Sequence, residues 1–302
     1  MKTGRSAVTR SILAIALAVG SANFAYARCE DHVPTARPQN TSRDYVGVDL
    51  DTIIDRGWIE FAVYEDLPPY SWKDGSEDRG VDIEIARLIA ESLGVEPRFK
   101  YVTSGENVEA DLRNWIWKGP VVGGSVANVM MHIPYNSDLG CRVEQVTFTG
   151  QVYADTIGIA YDPVFYEDSQ PTPPYFRFDP VGVENDTIAD FYLTNLLGMA
   201  AAPNIHRYPD VGDAVQAIDA GDVRAAMGPL ARLEHWASDE TEVYAPPLPN
   251  FAVGKWTVGV AVHMSYRPLS YAVDDAIVAA LGDGQIEQIF ENYGLTFLAP
   301  ER

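Results

Sequence analysis

The chain has 302 residues, 22 of them basic and 43 acidic, for a formal charge of −21 at neutral pH, and 47% of it is hydrophobic. That anionic excess excludes nucleic acid as a partner, while the length allows one large or two modest hydrophobic cores. Two cysteines and five histidines without clustering leave no motif for a structural zinc site.

Lys2, Arg5 and Arg10 precede an apolar run over 11–20, and Ala25-Tyr26-Ala27 forms a small-x-small cleavage box, so residues 1–27 read as a signal peptide. The run is shorter than the ~20 residues a spanning helix needs. No later charge-free stretch reaches that length, and no membrane insertion is expected. Arg28 separates Ala27 from Cys29, which argues against a lipid anchor. Cleavage leaves 275 residues and, because the leader holds three basic and no acidic side chains, a formal charge of −24. Cys29 and Cys141 both remain in an oxidising compartment, where a bridge between them is chemically open but not dictated by the sequence.

Residues 28–57 read as an extended polar N-terminus and a short helix over 51–57 closed by Gly57. A strand over 59–64, a turn over 66–70 and a helix over 82–93 stopped by Gly94 follow. Next come a strand over 99–102, a helix over 108–117 and an apolar strand over 126–133. Such alternation predicts a parallel sheet covered on both faces. The long β segment over 146–161 leads into a second series: strands over 181–183, 205–208 and 225–227, and helices over 187–197, 211–220 and 230–237. Another long β segment over 256–264 returns, and helices over 269–281 and 286–293 end the chain. The order predicts one lobe, 154–259, inserted in another, 58–153 plus 260–302, with the proline-rich stretches 171–180 and 246–249 as surface loops.

In this order and spacing the chain resembles the family 3 extracellular solute-binding proteins. The resemblance rests on Ile59-Glu60-Phe61-Ala62-Val63, Pro68-Pro69-Tyr70-Ser71-Trp72 and Gly80-Val81-Asp82-Ile83-Glu84-Ile85-Ala86, then on Arg142-Val143-Glu144-Gln145-Val146-Thr147-Phe148-Thr149 and Ala217-Ile218-Asp219-Ala220-Gly221-Asp222-Val223. It implies an α/β protein of the two-lobed type II periplasmic-binding fold. Each lobe would be a mixed sheet flanked by helices, the two being joined by two crossover segments. A narrower likeness in Asn114-Trp115-Ile116-Trp117-Lys118-Gly119 and in 126–135 is similar to the binding-protein branch associated with quinoprotein methanol and alcohol dehydrogenases. That likeness implies a periplasmic accessory without enzymatic activity or cofactor of its own. Its partner would be a quinoprotein dehydrogenase or its cytochrome c. The alternative is a receptor that delivers a small molecule to an ABC permease.

In such folds the ligand lies where the carboxyl ends of the strands converge. The loops there hold Glu65, Asp66, Tyr70 and Trp72, then His132 and Tyr135, and in the second lobe Thr187 and Pro229. By resemblance, Arg142 stands where the family's amino-acid receptors grip a carboxylate, and the guanidinium fork suits that task; a surface arginine paired with an acidic neighbour is the other reading. The hydroxyl residues that usually precede this arginine are replaced by His132-Ile133-Pro134-Tyr135, and Pro229 stands where the family places an ammonium-binding aspartate. Thr187 fits the family's anion-holding helix start and equally a plain helix cap. These departures argue against a zwitterionic α-amino acid, whose buried charges would lack partners. His132 is the candidate for a base or pH-sensitive contact, with a structural hydrogen bond as the other reading. Trp115, Trp117, Met130 and Met131 read as apolar wall or as core. No nucleophile elbow, phosphate loop or metal-ligand pair is present, so no catalytic or metal-binding residue is assigned.

Overall fold

The computed structural model describes residues 46–248, 251 and 254–301; the signal peptide and the extended segment up to 45 lie outside them. Helix α1 (Leu50–Arg56) starts where the Asp49 side chain accepts the Thr52 N–H and stops at Gly57, whose φ of 75° closes it. β1 (Trp58–Tyr64), the hairpin strands β2 (Trp72–Asp74) and β3 (Glu77–Arg79), α2 (Val81–Ser92) and β4 (Glu96–Val102) follow. α3 (Val108–Leu112) continues into a π-helical turn over Arg113–Trp117 and leads to β5 (Val129–Pro134), α4 (Ser137–Arg142) and the 16-residue β6 (Val146–Tyr161). The second series comprises β7 (Val181–Glu184), α5 (Ile188–Leu197), β8 (Ile205–Tyr208), α6 (Val211–Asp219), β9 (Ala225–Pro229), α7 (Leu230–Trp236) and β10 (Glu242–Tyr244). β11 (Lys255–His263), α8 (Arg267–Gly282) and α9 (Gln285–Asn292) complete the chain.

The strands form two half-sheets of the same design. In the first, the order is β4-β1-β5-β11-β6, with β4, β1 and β5 parallel and β11 antiparallel to both its neighbours. In the second, β8, β7 and β9 are parallel, β6 runs antiparallel to β9, and β10 pairs its far edge. Each lobe therefore places three parallel strands in the order second, first, third and then accepts a strand arriving from the other lobe. β6 belongs to both: it pairs with β11 up to Thr156 and with β9 from Ile157 onward.

Both half-sheets are buried on both faces, as parallel strands require. Ile59, Phe61 and Val63 point into a core with α2, α8 and α9, while Ala62 faces the opposite side against Leu112 and Ile116. Met130 and Met131 likewise part, one to each side of the sheet. Trp115 and Trp117 pack against the second of these clusters, which bears out their reading as core. The expected strand at 126 begins only at Val129, because Ala127 gives its N–H to the Trp115 carbonyl and the Asn128 side chain accepts the Glu60 N–H. The β2–β3 hairpin, α4 and β10 carry no long apolar period and went unanticipated. Among the described residues, no helix is long and apolar enough to cross a membrane.

Candidate functional site

The carboxyl ends of β1, β5 and β7 and the loops after β8 and β9 converge between the lobes. On the first-lobe side, Gly80 at a φ of 124° lets the chain press against the Tyr70 backbone, where an added Cβ would collide with the Tyr70 carbonyl. The Val81 and Asp82 N–H groups bond the Pro69 and Tyr70 carbonyls at 3.0 and 2.9 Å, which fixes the Pro68–Tyr70 turn on the first turn of α2. Asp82 and Tyr70 are thereby buried side by side, each 1% exposed.

A register shift between β5 and β11 sets Met131 and His132 opposite a single residue, and His132 adopts a φ of 60°. Such a bulge re-aims a side chain. Here it brings His132 Nδ1 to 3.0 Å from Asp82 Oδ2 and 2.9 Å from the Tyr153 hydroxyl, which lies 3.2 Å from Asp82 Oδ1. The Tyr70 ring packs 4.3 Å from the imidazole and stacks on Tyr153 at 5.9 Å. Its hydroxyl donates to Asp155 Oδ2 at 2.5 Å, and Asp155 lies on β6 just before that strand changes partner. Burial pushes Asp155 above the usual carboxylate range, and it pushes both tyrosine hydroxyls far above theirs, with Asp155 adding to the rise for Tyr70 and Asp82 for Tyr153.

The second-lobe wall is an ion-pair cluster. Arg232, in the first turn of α7 and 8% exposed, donates from one terminal nitrogen to Glu184 Oε2 at 2.6 Å and from the other to Asp210 Oδ2. Glu184 ends β7, and Asp210 also caps α6 by accepting the Gly212 N–H. Two carboxylates share one guanidinium, so the wall is net anionic. The Arg232 Nε–H is buried without a partner among the described residues. The lobes touch through α7: Ala231 joins the first-lobe core, His235 packs 5.5 Å from Trp72, and Glu234 accepts from the Thr296 hydroxyl and N–H at 2.6 and 2.9 Å. Burial first, then the Arg232 charge, hold the His235 imidazole below its usual range.

Of the residues singled out from the sequence, Tyr70, Trp72 and His132 meet in or beside this cluster. Pro229 stands where β9 turns into α7, three residues before Arg232. Glu65 and Asp66 are exposed beyond β1, and Glu65 accepts from the Thr103 hydroxyl. Tyr135 donates its N–H to the Thr257 carbonyl and lies against β11. Thr187 caps α5 and donates its hydroxyl to the Glu184 carbonyl at 2.7 Å. Arg142 ends α4, half exposed, with Nε 2.5 Å from Glu109. Cys141 is disulfide-bonded, and Cys29, the other cysteine of the sequence, lies outside the described residues. No group of three or more potential metal ligands occurs among the described residues.

Sequence reasoning missed Asp82, Tyr153, Asp155, Asp210 and Arg232 as site residues. Two signals were available: Asp155 is a lone carboxylate inside a long apolar strand, and Asp82 sits on the apolar side of its helix. Arg232 offers no comparable mark, since a single arginine in a short helix reads as surface.

No family model matches the sequence, and no curated protein matches it. Solved structures do. An ancestral cationic amino acid solute-binding protein, AncCDT-1, is 20% identical over 81% of this chain and 98% of its own, with a TM-score of 0.66; another structure of it is described as a precursor of cyclohexadienyl dehydratase. An amino acid ABC transporter substrate-binding protein from Streptococcus pneumoniae bound to L-arginine is 19% identical over 82% of this chain and 99% of its own, at 0.59. The second substrate-binding domain of Lactococcus lactis GlnP, in an open conformation, is 15% identical over 78% and 95%, also at 0.59. The chain thus has the two-lobed fold of periplasmic solute-binding proteins, and these neighbours are mostly binding proteins.

Proposed function

We propose that the protein is a periplasmic receptor that closes its lobes on a small solute for delivery to an ABC importer, and that the solute is not a standard α-amino acid. The lobes run over 58–153 plus 260–302 and over 154–259. The observation that carries the ligand class is Arg232: it is buried, it is shared between Glu184 and Asp210, and its Nε–H is unpaired among the described residues. A buried donor without a partner costs about 1–3 kcal/mol. A ligand acceptor at the lobe boundary removes that cost. The surrounding charge excludes an anionic ligand, since Asp82, Asp155, Glu184 and Asp210 outnumber the one guanidinium and Arg142 is already committed to Glu109. A neutral or cationic solute with one acceptor group and a flat or apolar body, packed among Tyr70, Trp72, His132 and His235, fits these walls.

The solved neighbours support the receptor reading over the quinoprotein-dehydrogenase accessory, which rests on the local likeness in 114–119 and 126–135 and gains nothing from the comparisons. The test is a thermal-shift and native mass-spectrometry screen of the mature protein against neutral and cationic solutes lacking a carboxylate, beside the standard α-amino acids. A solute of the first set at a hundred times its Kd is expected to stabilise the fold by about 2.7 kcal/mol. Arg232→Lys, which keeps the cation but deletes the Nε–H, should weaken binding about tenfold. Micromolar binding of an α-amino acid overturns the ligand class. Retention of a partner protein with no solute overturns the receptor reading.

A further inference from the structure

We infer that the first lobe carries a second ligand site, for a small oxyanion, at the edge of its sheet remote from the cleft. Trp58 and Glu96 begin β1 and β4, and the cleft lies at the opposite ends of these parallel strands. At this near edge is a pocket of about 370 Å3 lined by Arg56, Trp58, Lys118, Ser125 and Asn128, among others. Its chemistry is cationic in a molecule whose overall charge is −21. The Arg56 guanidinium lies 3.4 Å from the Trp58 ring centroid, donates to the Trp58 carbonyl at 2.8 Å and reaches Asn128 Oδ1 at 2.6 Å. Arg98 brings a second guanidinium to 4.0 Å from the same ring. Among the described residues, no carboxylate pairs with Arg56, Arg98 or Lys118, although acidic side chains outnumber basic ones nearly two to one.

Glu60 is the one carboxylate among the lining residues, and Lys100 holds it at 2.5 Å while also donating to the Ser125 hydroxyl and carbonyl. Arg56 is held below its usual range by burial, with Arg98 adding to the depression and Glu60 opposing it. The loop that closes the pocket, Gly119 to Gly124, is drawn close by glycines at φ of 92°, 78° and 129°, and the Gly124 and Ser125 N–H groups make no backbone hydrogen bond among the described residues. Arg56 and Lys118, which line the pocket with no carboxylate partner among the described residues, stand with the Gly124 and Ser125 N–H groups as a cradle for a phosphate or carboxylate group, to which Arg56 has its Nη1 donors left to give. The indole serves to hold both guanidinium planes without cancelling their charge.

The experiment is calorimetric titration of the full mature chain, in low-salt buffer free of oxyanions, with inorganic phosphate, with acetate and with chloride at matched ionic strength. Binding of phosphate or acetate beyond the chloride control is expected, and the stronger of the two identifies the group recognised. Lys118→Ala and Arg56→Ala should each weaken it about tenfold and the double variant should abolish it, with each variant's unliganded Tm recorded to confirm that it folds. Heat no larger than chloride gives, or binding unchanged in a folded double variant, overturns the inference.

Discussion

The two walls of the cleft bury their carboxylates by different means. On one wall, Asp82 of the first lobe and Asp155 of the crossover strand β6 are held by the Tyr153 and Tyr70 hydroxyls, with the His132 imidazole against Asp82. On the other wall, Glu184 and Asp210 are held by Arg232, which offsets their charge but leaves its Nε–H without an acceptor among the described residues. The contrast has a physical consequence. The Tyr70 hydroxyl offsets only part of the desolvation of Asp155, so that carboxyl is held above its usual range, whereas the guanidinium between Glu184 and Asp210 pairs them by charge and leaves its Nε–H for a ligand.

The comparison breaks most readily at Arg232. Arg232→Met leaves two carboxylates facing each other without a cation, and breaking a fully buried pair costs about 3–5 kcal/mol. Asp210 is 43% exposed at its side chain and relaxes into water, so about 2–3 kcal/mol is expected. A fall in the urea midpoint at constant m measures it, and an unchanged midpoint would show that the second wall is not held by charge.

Tyr70→Phe tests the other wall and should cost about 1–3 kcal/mol by orphaning a buried acceptor. The sign of its pH dependence separates the walls. The folded pKa of Asp155 is raised above its usual 3.8, so the folded state keeps this proton longer than the unfolded chain. The contribution of Asp155 is therefore most favourable below that value and declines as pH rises through the raised one. Removing the Tyr70 donor steepens that decline, and Asp155→Asn flattens it. Denaturation curves taken at a series of pH values, each variant against wild type, read the difference.

The smallest effect belongs to His235, where the walls meet. Its folded pKa is depressed below the usual 6.5, so its contribution is present above 6.5 and is lost as pH falls toward the folded value. His235→Gln should shallow the acid-side loss of Tm by the equivalent of less than about 1 kcal/mol, discounted because the ring is only half buried. A slope identical to that of wild type would remove His235 from the contact with Trp72.

The parallel strands and the helices between them were legible residue by residue, since apolar side chains at periods of two and 3.6 are a local property. The crossover strand over 146–161 and the Thr187 cap emerged at the positions expected. The short hairpin over 72–79 and α4 did not, because a strand of three residues is too brief for its period to register and α4 is held by the Asn136 cap and two buried residues rather than by a stripe. Of the candidate site, Tyr70, Trp72 and His132 were readable, because a strand end in an alternating α/β pattern marks where a cleft opens. Whether Arg142 met a ligand or a surface acid was not readable, and the structure pairs it with Glu109, 33 residues away in the chain.

Composition, the order of elements and the faces of each strand were determined by the sequence itself, because they follow from neighbours a few residues apart. Which charged groups became buried was decided only in three dimensions. Asp82 reaches His132 across 50 residues, Tyr70 reaches Asp155 across 85, and Arg232 reaches Glu184 across 48. Burial and pairing depend on what the fold brings alongside, and no local pattern records the distance at which an opposite charge will stand.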